Sequence, residues 1–141
     1  MTEIKTEQVI YTGLFLDPSV DIFEKINPVF EKKYEKDPHV TLAFRPKDGI
    51  DGTVVGKGVV VKIIGQVIDN EIGIQACIVE GSNSSNKNPH ITISSKTDVS
   101  PVKSNEAIAS AILNGSIIKF DEPIELTLTT GYFNGQTVIT K

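Results

Sequence analysis

Residues 36–42 read Lys-Asp-Pro-His-Val-Thr-Leu, and residues 87–93 read Lys-Asn-Pro-His-Ile-Thr-Ile. The two segments agree at Lys, Pro, His and Thr and differ conservatively elsewhere, and they hold both histidines of the chain. A strand sends residues i and i+2 to one face and the residue between them to the other. Each copy therefore puts a His and a Thr on one face, about 6–7 Å apart along the strand. Val40, Leu42 and Phe44 in the first copy, and Ile91 and Ile93 in the second, are expected to face a core. Related by an approximate two-fold, the copies would bring two imidazoles and two hydroxyls to one cleft.

The rest of the chain reads as an α+β domain around these strands. With 141 residues, the whole of 1–141 is expected to be one domain. Residues 8–15 alternate as a strand. Asp17-Pro18 reads as a helix start, and Val20, Phe23, Ile26 and Phe30 recur at helical spacing to about residue 35, with Pro28 kinking or splitting the helix. Residues 39–45 are a strand and 46–52 a loop. Residues 53–79 predict a hairpin turning at Asp69-Asn70. The polar run 81–89 predicts a loop, or a lid over a site. Residues 90–95 form another strand, and Ser104 caps a short helix with Ala107, Ile108, Ala111 and Ile112 on its apolar stripe, ended by Asn114-Gly115. Strands follow at 116–120, 124–133 and 136–140, the last two joined by Asn134-Gly135. The expectation is two main helices and seven or eight strands.

The repeated residues suit a phosphodiester. One imidazole, His39 or His90, removes a proton from an attacking hydroxyl and the other protonates the departing oxygen, while Thr41 and Thr92 donate hydrogen bonds to the non-bridging oxygens. Histidine serves both roles because its unperturbed pKa is about 6.5. A single His beside a Thr on a strand is an ordinary surface or core pair; the repetition is what favours a site. Metal binding is the rival reading, but zinc needs a third or fourth ligand and the lone Cys77 sits in an apolar run, so no metal and no cofactor are expected. Arg45 and Lys96, each six residues after a histidine and on its face by alternation, could steady a phosphate or be solvated strand ends. Ser104 sits at a helix start, where backbone N–H groups favour an anion; simple capping is the alternative. Tyr11 could pack in the core or stack on a base.

The motifs His39-Val-Thr41-Leu and His90-Ile-Thr92-Ile resemble those of the two-histidine (2H) phosphoesterase superfamily. The resemblance covers most of the chain and implies a pseudo-symmetric two-lobed α+β domain, with antiparallel sheets around a central cleft. The compact length, the early Tyr11-Thr-Gly-Leu-Phe strand, and the runs after each histidine are similar to those of small phage and bacterial members. These include phage anti-CBASS phosphodiesterases, which degrade cyclic di- and trinucleotide signals, and RNA-repair-like proteins. The resemblance implies that an early tyrosine, matched by Tyr11, a late glutamate, matched by Glu125 or Glu122, and a late aromatic, matched by Tyr132 or Phe133, line the site.

Charge narrows the substrate. Lys and Arg number 14 against 18 Asp and Glu, a net charge of −4, which disfavours non-specific duplex binding and leaves room for a small anionic ligand in a local pocket. No apolar run reaches the ~20 residues that span a bilayer, and the polar start predicts no secretory signal. One cysteine allows no internal disulfide, so a cytoplasmic protein is expected, in the host cytoplasm if phage-encoded. The function expected is metal-independent cleavage of 3′–5′ linkages in cyclic oligonucleotides. The alternatives are a 2′,3′-cyclic phosphodiesterase acting on RNA ends, and a nucleotide-binding sponge without turnover.

Overall fold

The computed structural model describes residues 9–17, 19–34, 38–44, 55–82 and 88–140. The chain runs through β1 (Tyr11–Leu16), one turn of 3-10 helix (Ile22–Glu24), β2 (Lys32–Lys33), β3 (His39–Phe44), β4 (Gly58–Asp69) and β5 (Ile74–Glu80). It continues through β6 (His90–Ser95), α1 (Lys103–Asn114), β7 (Ile118–Phe133) and β8 (Val138–Ile139). The fold is mixed α+β: one antiparallel sheet in the order β2-β6-β5-β4-β7-β1-β3, with β8 on β7 and a single α-helix among the described residues.

Apart from β2 at one edge and β8 off the main path, the strand order is mirrored about the middle of the sheet. From the central β4–β7 pair, β5 then β6 lie on one side, and β1 then β3 on the other. Each histidine strand is thus the third from the centre. β3 and β6 also come within 8 Å of each other, Cα to Cα, without pairing, so the sheet curls until its two histidine strands approach. It curls around one apolar cluster that includes Leu14, Val40, Ile63, Cys77, Ile91 and Leu128, drawn from six strands and each no more than 1% exposed. The antiparallel sheets flanking a central cleft are replaced by one sheet wrapped on its own core.

Among the described residues the first expected helix is absent. Asp17 accepts from the backbone N–H of Ser19 and Asp21 from that of Phe23, local turns that compete with helix, and Pro28 supplies no N–H. Only the Ile22–Glu24 turn forms, and it drops Ile22 and Ile26 into the core. Residues 29–34 then follow the edge of β6: Phe30 N–H donates to Ser94 Oγ and Tyr34 N–H to the Ile93 carbonyl. Gln75, fully buried, staples this segment. Its Oε1 accepts from Val29 N–H and Ser94 Oγ, and its Nε2 donates to the Asn27 carbonyl and Gln66 Oε1. Pro18 lies outside the described residues.

The two expected hairpins are present. The β4–β5 turn closes with Gly73 N–H donating to the Asp69 carbonyl at 2.7 Å, and Gly73 takes φ +87°, a conformation that costs glycine little. The turn from β7 to β8 has Gly135 at φ +98° and Asn134 Oδ1 accepting from the N–H groups of Gln136 and Thr137. The strands expected at 116–120 and 124–133 are one strand, β7, but its ladder to β4 is broken. Ile63 opposes Ile124 and Gly65 opposes Lys119, so four residues, 120–123, face Ile64 alone. Pro123 has no N–H to give to the ladder there.

Candidate active site

Both motifs sit in the same local frame. Phe15 opposes His39 and Ile78 opposes His90. The carbonyl of the preceding proline accepts from the next residue of the partner strand: Leu16 N–H to Pro38, and Val79 N–H to Pro89, each at 3.0 Å. A small residue opposes each threonine, Gly13 across from Thr41 and Ala76 across from Thr92. Each strand then bulges at the third residue after its histidine. Thr12 and Gly13 oppose Ala43 and Thr41, leaving Leu42 unopposed, and Gln75 and Ala76 oppose Ser94 and Thr92, leaving Ile93 unopposed. The sequence repeat is therefore also a repeat of register.

Directly opposed residues share a face of a sheet, and this connects the two histidines. His39 shares its face with Phe15 and Thr129; alternation along β7 carries that face to Glu125, and pairing carries it through Lys62 to Glu80. On β5, Glu80 and Ile78 lie two apart, and Ile78 opposes His90. Val40 and Ile91, the residues after the histidines, are both in the core. His39, Thr41, His90 and Thr92 thus lie on one face, the outer one, and the approach of β3 to β6 brings their strands together.

The surroundings of the two imidazoles differ. His39 packs against aromatic rings, 4.8 Å from Tyr11 at 21° and 5.5 Å from Phe15, with Tyr11 in turn 5.4 Å from Phe133. Gly13 makes this possible, because a Cβ there would lie 3.0 Å from the Val40 carbonyl and 3.2 Å from the Phe15 ring. His90 is held by its backbone neighbour: Nδ1 lies 2.7 Å from the Asn88 carbonyl. A carbonyl only accepts, so Nδ1 carries the proton and Nε2 presents a lone pair. Burial holds the His90 pKa below the ordinary imidazole value, and the Asn88 hydrogen bond opposes this only in part. Thr92 Oγ1 lies 2.8 Å from Ser104 Oγ, on α1, which packs over β5 through Ala107, Ile108 and Ala111 against Ile74 and Ala76.

Other expected site residues fall differently. Phe133 is on the His39 face, whereas Tyr132 opposes Thr12 and so takes the opposite one. Glu125 is on the histidine face but exposed across from Lys62, four residues, or about 13 Å, from the Thr129 that opposes Phe15. Glu122 lies exposed in the interruption of β7. Lys96 is not at the site. The Ile93 bulge reverses the alternation, so Ser95 rather than Ser94 shares the Thr92 face, and Lys96 lies over Gly73 with Nζ donating to the Asn70 carbonyl. Ser104 neither caps α1, whose N-cap is Val102, nor is exposed; it is wholly buried beneath Thr92. The Leu42 bulge likewise turns Phe44 out of the core to oppose Tyr11, 65% exposed. Arg45 and residues 83–87 of the expected lid lie outside the described residues. Phe15 and Asn88 were missed; Phe15 was within reach, since it alternates with Tyr11 and Gly13, whereas Asn88 acts through its backbone and carries no signal in its residue type.

Among the described residues, no group of three or more His, Cys, Asp or Glu side chains gathers where it could hold a metal, and no helix is long and apolar enough to cross a membrane. Cys77 is buried, and its thiol is pushed up to about 12 by that burial. No protein-family model matches the chain, and no curated protein matches it.

Proposed function

We propose that this chain is a metal-independent phosphodiesterase of the two-histidine type, acting on 3′–5′ linkages of cyclic oligonucleotides. The observation that carries the proposal is the duplicated frame: two His-x-Thr pairs with the same register, proline carbonyl contact and bulge, on one face of strands that approach each other. The mirrored strand order supports a two-lobed, pseudo-symmetric reading of the domain, in the manner of 2H phosphoesterases.

The two environments suggest separate roles. His90, neutral and with Nε2 unprotonated, takes the proton from the attacking hydroxyl as that oxygen bonds to phosphorus. His39, stacked beside the Tyr11 ring, is the general acid and gives a proton to the departing oxygen as the other P–O bond breaks. Thr41 and Thr92 donate to the non-bridging oxygens, whose charge grows in the transition state. A net charge of −4 favours a small ligand over a long polyanion. The reading is tested by incubating the protein, in EDTA, with labelled cyclic dinucleotides and with RNA ending in a 2′,3′-cyclic phosphate. Cleavage of the former supports it. Cleavage of the RNA end alone moves the function to RNA end processing, and tight binding without cleavage makes the protein a sponge.

A further inference from the structure

An apolar pocket of about 330 Å³ is lined in part by Ile78 and Asn88, the two residues that flank His90. It exists because of the broken ladder between β4 and β7: the unopposed Ile64 and the looped-out Phe120 and Pro123 form one wall, and Ile108 and Ile112 of α1 form another. It joins the candidate active site at two residues. Ile78, a pocket wall, opposes His90 in the ladder, and Asn88, at the rim, supplies the carbonyl that holds the imidazole. Among the described lining residues, Lys119 adds a cation to walls that are apolar apart from Asn88.

We propose that this pocket receives one nucleobase of the substrate, on the His90 side of the reacting phosphate, with the next phosphate of the same ligand toward Lys119. A substituent leaving a phosphate at His90 on this side meets Ile78 and Asn88 first. A base is flat with apolar faces, so aliphatic walls bury it favourably, and pockets of this size and character take small ligands. A cation such as Lys119 beside an apolar slot matches a ligand that alternates bases with phosphates. Among the described residues the lining has few hydrogen-bonding groups, so these walls hold a base by its faces and discriminate little between bases.

This inference rests on the phosphodiesterase reading for its substrate, but its test needs no turnover. Isoleucine-methyl-labelled protein is titrated with adenosine 5′-monophosphate, ribose 5-phosphate and hexyl phosphate. The nucleotide should shift the methyls of Ile64, Ile78, Ile108 and Ile112 and bind at least tenfold more tightly than ribose 5-phosphate. Ile112→Ser, at the half-exposed rim, should cut that preference roughly fivefold by removing apolar contact with no change in melting temperature beyond a few degrees. Isoleucines silent to the nucleotide, or hexyl phosphate bound more tightly than the nucleotide, overturn the proposal. Nucleotide in the pocket without cleavage of cyclic dinucleotides keeps the pocket and removes the phosphodiesterase; cleavage with silent isoleucines does the reverse.

Discussion

His90 and His39 differ in what they touch, and that difference has measurable consequences. His39→Ala and His90→Ala should each lower kcat/KM by roughly 10²–10⁴-fold, the usual loss of a general acid or base. Retention of the rate by either variant contradicts paired proton transfer. Because burial lowers the His90 pKa, the acidic limb of the kcat/KM profile should lie below about pH 6.5, the free imidazole value. An acidic limb at or above that value contradicts the assignment of His90 as base. Thr92 depends on Ser104, whose buried hydroxyl lies 2.8 Å away. If Ser104 donates, the Thr92 proton stays free for phosphate. Ser104→Ala should then lower kcat/KM several-fold in the wild-type background and have little effect in Thr92→Ala, a coupling that a purely structural role would not show.

The strands were legible because alternation and turn chemistry agree over β1, β3, the β4–β5 hairpin, β6 and the turn into β8. The repeat also marked out the residues that share a register. The bulges were not legible. Leu42 and Ile93 look like ordinary alternating residues, yet each reverses the side-chain alternation after it, which misplaced Phe44 and Lys96. The missing first helix has a different cause: Phe23 and Ile26 do reach the core region, but local Asp turns and Pro28 leave only one turn, and Gln75 ties the following segment to the sheet. Gln75→Leu should therefore cost roughly 3 kcal/mol in chemical denaturation, since the groups it serves lose partners in a buried setting; a change under ~1 kcal/mol would mean that water replaces it. The close approach of β8 makes another expectation. A Cβ at Gly131 would run into the Ile139 carbonyl, so Gly131→Ala should detach β8 and expose the Val138–Ile139 amides to faster hydrogen exchange.

The curled sheet couples protonation of the site to stability. A His90 pKa lowered in the folded state means that the unfolded chain binds its proton more readily, so stability is held above about pH 6.5 and declines as pH falls below it. His90→Gln should flatten that decline between pH 7.5 and 5. The shape of the whole molecule also bears on the chemistry, since two histidine strands from opposite sides of the sheet meet only because it wraps round one core. The most direct measurement is hydrolysis of a labelled cyclic dinucleotide in EDTA by the wild type, His39→Ala and His90→Ala. Metal-independent catalysis by the two histidines predicts cleavage by the wild type, unaffected by the chelator, and its near-complete loss in both variants. Cleavage that survives either substitution, or that disappears with EDTA and returns with added metal, would contradict it.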